Sequence, residues 1–200
     1  MVDVQIISRG IKDRAVISAM LKIERHNFVS STSRGLAYDD RPLPIQCSQT
    51  ISQPYIVALM TEELGLSSAS RVLEIGTGCG YQTAILAEIA KEVYTVERIS
   101  VLYKSASKLL DRLGYKNVHA SLGNGYLGIE EYAPYDRIIL TAAPDKVPDA
   151  LFSQLTDGGI LIAPVGSRHY QSLKKYTRRW GRTDEVTVTG VSFVEMVNDD

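Results

Sequence analysis

Cysteine is almost missing from this chain. Only Cys47 and Cys79 occur in 200 residues, and neither stands in a metal-ligand pattern. A cysteine-built metal centre is excluded, and a reducing compartment is the expected setting. No run approaches the roughly 20 apolar residues needed to span a bilayer. Met1-Val2-Asp3-Val4-Gln5 has no basic region followed by an apolar core, so no signal peptide is expected. The expectation is a soluble, cytoplasmic protein. Excess charge of one sign is absent too: the net charge of -1 gives no general pull toward nucleic acid or anionic membrane. A basic cluster at Lys174, Lys175, Arg178, Arg179 and Arg182 lacks aromatics at stacking spacing and reads as a solvated edge. No Ser/His/Asp set, internal repeat, low-complexity tract or interdomain linker is present. The length suits one domain with a proper core.

What is there begins with Val72-Leu73-Glu74-Ile75-Gly76-Thr77-Gly78-Cys79-Gly80-Tyr81. Three apolar β-formers surround one acid, and glycines follow at alternate positions. Tyr81 to Ala90 then reads as a helix. A buried strand that ends in glycines and feeds a helix makes a backbone cradle for a nucleotide-like ligand. The dinucleotide fingerprint needs glycine at position 81, where Tyr81 stands, so that reading fails. Glu92 to Val96 forms a second β-rich run ending in Glu97, 19 residues after Gly78. A carboxylate at that strand end suits both hydroxyls of a ribose; the alternative is a solvated strand-end glutamate.

Along the chain, Ile11 to Ile23 has helical spacing, and His26 just beyond it reads as structural. Ser30 to Gly35 is polar and mobile-looking. Two prolines make Ala37 to Ser48 an ordered, extended loop. Gln49 to Gln53 leads into an amphipathic helix with Pro54 in its first turn and Gly65 at its end. Thr50 and Ser52 thus bring hydroxyls to backbone N–H groups at a helix start, a place that favours a carboxylate. Simple capping by Ser52 is the alternative. A helix over Ile99 to Leu113, a strand at Asn117 to Ala120 and a turn at Gly123-Asn124-Gly125-Tyr126 follow. Asp136 to Ala143 is a buried strand, a helix runs from Pro148 to Leu155, and Asp157-Gly158-Gly159 turns the chain into a strand over Ile160 to Val165. Strands alternating with helices imply a mostly parallel sheet covered by helices on both faces. Ser172 to Arg179 and Glu185 to Val197 read as a closing antiparallel hairpin.

These residues resemble the protein-L-isoaspartate (D-aspartate) O-methyltransferase family from about Gly10 to Val197. The glycine motif is that of S-adenosylmethionine (SAM) methyltransferases in general. More specific are Ala37-Tyr38-Asp39-Asp40-Arg41-Pro42-Leu43-Pro44-Ile45 and Gln49-Thr50-Ile51-Ser52-Gln53-Pro54-Tyr55-Ile56-Val57-Ala58. Val96-Glu97-Arg98-Ile99, Thr141-Ala142-Ala143-Pro144 and Leu155-Thr156-Asp157-Gly158-Gly159 complete the likeness. It implies an α/β, Rossmann-like SAM methyltransferase fold in one domain. Within it, 1–70 would be a substrate-side cap, 71–165 the SAM-binding core and 166–200 a hairpin near the substrate.

The implied activity is esterification of the carboxylate of L-isoaspartyl and D-aspartyl residues in damaged proteins, which opens repair through a succinimide. A carboxylate above its pKa of about 4 is already nucleophilic, so no general base or metal is expected. Carried over position by position, Gly76, Gly78 and Gly80 cradle the amino-acid part of SAM and Glu97 holds the ribose. Asn124 and Gly125 lie by the adenine, and Glu74, Thr77 and Tyr81 belong to the same site. Thr50 and Ser52 meet a carboxylate, Ser52 being the candidate for a direct catalytic part. Expected partners are isoaspartyl peptides and age-damaged proteins, without nucleic acid or membrane, and the protein is expected to be a monomer. Three places depart from the family pattern: Asn124 replaces an aspartate, Cys47-Ser48 a glycine-containing pair, and Ser192 and Glu195 an arginine and a proline near the peptide site. Two alternatives stay open, a methyltransferase for a normal aspartyl or other carboxylate of a dedicated peptide, and a non-catalytic SAM-fold binding protein. A nucleic-acid amino-methyltransferase lacks its Asn/Asp-Pro-Pro-aromatic motif, with Thr141-Ala142-Ala143-Pro144 in its place.

Overall fold

The computed structural model describes residues 1–167 and 169–198. Positions 168, 199 and 200, within the expected C-terminal hairpin region 166–200, lie outside the described residues. The first helix, α1 (Arg14–Lys22), starts where the Asp13 side chain accepts the N–H groups of Ala15 and Val16. Two short strands, β1 (Leu43–Pro44) and β2 (Thr50–Ile51), pair antiparallel. The helix α2 (Pro54–Leu64) follows, closed by Gly65 in the left-handed region at φ 59°.

Next come β3 (Arg71–Ile75), α3 (Tyr81–Ala87), β4 (Glu92–Glu97), α4 (Ser100–Arg112) and β5 (Val118–Leu122). The remainder is β6 (Tyr135–Leu140), α5 (Asp149–Ser153), β7 (Leu155–Ser167), β8 (Tyr170–Arg179) and β9 (Arg182–Val191). Seven strands form one sheet in the order β5-β4-β3-β6-β7-β8-β9. Neighbours from β5 through β7 run parallel, while β8 and β9 are antiparallel additions. Since β4 and β6 flank β3 on opposite sides, the chain reverses direction there. That switch opens a crevice at the carboxyl ends of these strands.

Alternation along the strands assigns the two faces. Val72, Val93, Ile139 and Ile162 pack with Met60 and Leu64 of α2 and Leu86 of α3. Leu73, Ile75, Tyr94, Val96, Ile138 and Leu140 face the other way, onto Val147 and Leu151 near and within α5. A further cluster seats α1 and the preceding residues on Tyr81, Ala84 and Ile85 of α3. The helix α3 is buried along its whole length between these layers. At the far end, α4 buries Leu102, Ala106 and Leu110 at a spacing of four.

Three segments differ from the sequence expectation. Ser31–Leu36 is a short 3₁₀ helix rather than a mobile stretch, with the Ser30 hydroxyl bonded to those of Thr32 and Ser33. Asp157-Gly158-Gly159 lies within β7, where the pairing with β6 slips between Tyr135 and Arg137. The last strand stops at Val191 instead of running to Val197. Beyond it the chain turns back over the carboxyl end of the sheet, where Glu195 bridges to Ala143.

Candidate active site

A cleft of about 920 Å³, open to solvent, sits over the ends of β3, β4 and β6. Its floor is the glycine loop after β3. Gly76 and Gly78 hold φ values of +98° and +56°, in the left-handed region that favours glycine. A Cβ on Gly76 would come within 2.4 Å of Thr141 Oγ1, and one on Gly125 within 2.5 Å of Ile75 Cγ2. Both glycines therefore keep backbone, not side chain, at the cleft surface.

Glu97, at the end of β4 and 6 % exposed, pins this loop. One carboxylate oxygen accepts the Gly78 N–H at 2.9 Å and the other the Ile99 N–H at 2.9 Å. Each oxygen keeps a second lone pair for a ligand hydroxyl. Under the loop, Glu74 is fully buried. It accepts the hydroxyls of Thr83 at 2.5 Å and Thr95 at 2.7 Å, and Thr95 reaches Thr77 at 2.7 Å. Burial pushes the Glu74 carboxyl up to about 8, against the two threonine bonds. Burial likewise lifts the Cys79 thiol to about 11 and raises the Tyr81 phenol, which the nearby Arg25 opposes in both cases. The buried Arg25 donates from Nε to the Ala37 carbonyl at 2.8 Å and lies 4.9 Å from the Tyr81 ring centroid, tying the N-terminal layer to the loop.

Of the residues singled out from sequence, Thr50, Ser52, Gly76, Thr77, Gly78, Tyr81, Glu97 and Gly125 all line the cleft. Glu74, Gly80 and Asn124 are not among its lining residues. Glu74 acts from below through Thr95 and Thr77. Gly80 starts α3 at φ +87°, and a Cβ there would meet Leu110 of α4 at 3.2 Å. Asn124 caps a short turn by accepting the Tyr126 N–H at 2.9 Å, and its Nδ2 donates to Asn198 Oδ1 at 2.9 Å. No side chain caps α2, so Ser52 is not its cap. His26 bonds the Tyr38 hydroxyl at 2.7 Å, away from the cleft.

A second, open groove of about 1120 Å³ shares Thr50 and Ser52 with the cleft and continues to Pro42, Ile56, His169 and the 190–193 segment. Sequence reasoning placed 191–196 beside a peptide site as one strand. The segment instead divides, with Ser192 and Phe193 on the groove and Val194 to Val197 on the cleft. Val194 to Val197 went unnoticed as cleft residues. Their only signal was the Thr141-Ala142-Ala143-Pro144 motif, whose Ala143 receives them.

A glycine-floored crevice at the switch point, an acid pinning the loop from the next strand and antiparallel strands closing the sheet define a methyltransferase-type α/β domain. The protein-L-isoaspartate(D-aspartate) O-methyltransferase family model matches residues 1–200, and the chain belongs to that family. It is 53% identical over 189 residues to a protein-L-isoaspartate O-methyltransferase of Dictyoglomus turgidum, covering 94% of this chain and 86% of that one. A solved protein-L-isoaspartate O-methyltransferase superposes with a TM-score of 0.88 at 30% identity, over 96% of this chain and 63% of that longer one. A Plasmodium falciparum chain described as a protein-L-isoaspartate O-methyltransferase, in complex with S-adenosyl-L-homocysteine, gives 0.84 at 26% identity over 96% and 95% of the two chains.

Proposed function

We propose that this chain transfers a methyl group from S-adenosylmethionine to the free carboxylate of L-isoaspartyl and D-aspartyl residues in damaged proteins, opening their repair through a succinimide. The observation that carries this reading is the junction of two compartments at Thr50 and Ser52, one floored by glycine backbone and one open to a peptide. The residues present fit the cofactor. At Gly76 and Gly125 a Cβ would strike Thr141 and Ile75, so backbone alone faces the cleft there, and Glu97 has lone pairs left for a ribose. S-adenosylmethionine supplies an electrophilic methyl on a sulfonium.

The chain's own part is placement. Gly76 to Gly78 present backbone to the amino-acid portion, Glu97 holds the ribose, and Gly125 lets the adenine approach. Thr50 and Ser52 donate hydroxyls to the substrate carboxylate at the start of α2, where the helix dipole also favours an anion. Proximity and orientation supply roughly 7–11 kcal/mol of the barrier. An ionised carboxylate needs no general base, and charge is neutralised as the bond forms, so a cleft that sheds water favours the transition state. Residues 1–200 act as one catalytic domain, with 1–70 forming the substrate-side cap. No helix among the described residues is long and apolar enough to cross a membrane. Two free cysteines support a cytoplasmic setting, and the chain works as a monomer.

Tritiated methyl transfer to an isoaspartyl hexapeptide and to its normal aspartyl twin tests the proposal. A strong preference for the isoaspartyl peptide is expected. Equal rates would replace repair by methylation of a dedicated aspartyl partner.

A further inference from the structure

The last rung between β8 and β9 is Gln171 opposite Val191, and there the chain leaves the sheet. Gln171 takes over where backbone pairing stops. It is 5 % exposed, and its Nε2 donates to the Phe193 carbonyl at 3.1 Å while its Oε1 accepts the Phe193 N–H at 2.6 Å. A side-chain amide thus provides both bonds that a neighbouring strand would have given. One residue on, at Val194, the chain is pinned again, and once more at Met196. The Ala143 N–H donates to the Val194 carbonyl at 2.8 Å, and Met196 N–H donates to the Ala143 carbonyl at 2.8 Å. The strap that carries these pins crosses from one compartment to the other, with Ser192 and Phe193 walling the groove and Val194 to Val197 walling the cleft.

We infer that Gln171 is a positioning residue for methyl transfer, acting through Phe193 to hold the strap that forms a wall of both compartments. The inference rests on the reading above, in which the cleft takes the cofactor and the groove takes the peptide. At neutral pH an amide is the one side-chain group of this length that both donates and accepts here. A carboxylate keeps the bond from the Phe193 N–H but meets the Phe193 carbonyl as a second acceptor. A thioether of similar volume supplies neither bond and leaves both Phe193 groups unpaired. Because one strap borders both sites, freeing it weakens cofactor and peptide together. A residue that merely supports the fold lowers Tm and leaves the affinities of the folded protein unchanged.

The test compares wild type with Gln171→Met and Gln171→Glu. It uses calorimetry with S-adenosylmethionine and steady-state methylation of an isoaspartyl peptide, each normalised to folded protein. In Gln171→Met, Kd for S-adenosylmethionine and KM for the peptide should each rise about tenfold, the effect of losing two hydrogen bonds. In Gln171→Glu the loss should be smaller, and affinity relative to wild type should recover as pH falls toward about 5, where the protonated acid can donate to the Phe193 carbonyl. Unchanged Kd and KM in Gln171→Met overturn the inference whatever the Tm. If that variant does not fold, a pH profile of Gln171→Glu parallel to wild type overturns it instead. A wild type that binds no S-adenosylmethionine sinks the reading of the cleft and this inference with it.

Discussion

The cleft takes its floor from one contiguous stretch, residues 75–79, whereas the groove borrows from Pro42, Thr50 to Ile56, His169 to Gln171 and Gly190 to Phe193. In the cleft, backbone conformation is bought with glycine at Gly76 and Gly78, and each fixed amide has a partner nearby. Just before Thr50, which both compartments share, the opposite holds. Cys47 and Ser48, in the loop between β1 and β2, both sit at positive φ (57° and 55°) without being glycine. Such residues cost roughly 1–2 kcal/mol each, and the surrounding loop must hold them. The difference teaches that the Gly76 turn has no space for a Cβ against Thr141, while the loop leading into Thr50 holds two L-residues in a strained conformation.

The hardest blow to that contrast should come from the cleft. Gly76→Ala puts a Cβ against Thr141 Oγ1 and an L-residue at φ +98°. A loss of roughly hundredfold in S-adenosylmethionine affinity is expected from strain and clash of about 3 kcal/mol. Calorimetry near wild-type values would show that the loop can move aside.

At the junction, Ser52→Ala should lower kcat by about 10- to 100-fold, the range for one hydrogen bond to a charged group. S-adenosylmethionine affinity should stay within about twofold. Single-turnover methyl transfer checks the first statement, and an unchanged rate would remove Ser52 from the chemistry.

Beneath the loop, Glu74→Gln addresses the buried acid. The carboxyl rises from its ordinary 4.5 to about 8 in the folded chain, so the folded state holds the proton more tightly than the unfolded one. The stability this gives is fully present below about pH 4.5 and is lost progressively as pH rises toward 8. A neutral amide has no such loss. The Tm of Glu74→Gln minus that of wild type should therefore grow from pH 5 to pH 8, and a flat difference would mean the acid titrates normally.

The smallest effect belongs to the loop between β1 and β2. Ser48→Gly should stabilise the fold by roughly 0.5–1 kcal/mol, since relief at φ 55° exceeds the entropy of the added glycine. Urea unfolding reads it, and a loss of stability would show that the serine side chain earns its place.

Much of the cleft was legible in the residues. Val72 to Tyr81 announces strand, turn and helix by local rules, since burial on both faces selects apolar β-formers and positive φ selects glycine. The place of Glu97 beside the glycine loop followed from its distance past the glycines, because a strand-helix-strand unit has a nearly constant length. Glu74 was counted with the cofactor residues from its place in the motif. The alternation of the strand turns its side chain toward Thr83 of α3, a direction visible only once the faces are assigned.

The alternation of strands and helices, the glycine loop and the antiparallel finish were legible in the sequence alone, because each depends on neighbours within one supersecondary unit, whereas the pairing of β3 with β6 was decided only by tertiary packing. Where the last strand ends was not legible either. Residues 185–197 alternate well enough to continue as a strand. Only in the folded molecule does the Gln171 amide compete for Phe193 and Ala143 compete for the next residues, so the chain breaks from the sheet and crosses from groove to cleft. Contacts between positions 171 and 193, or 143 and 195, leave no periodic trace in the chain; they exist only after tertiary packing has brought those backbones within hydrogen-bond reach.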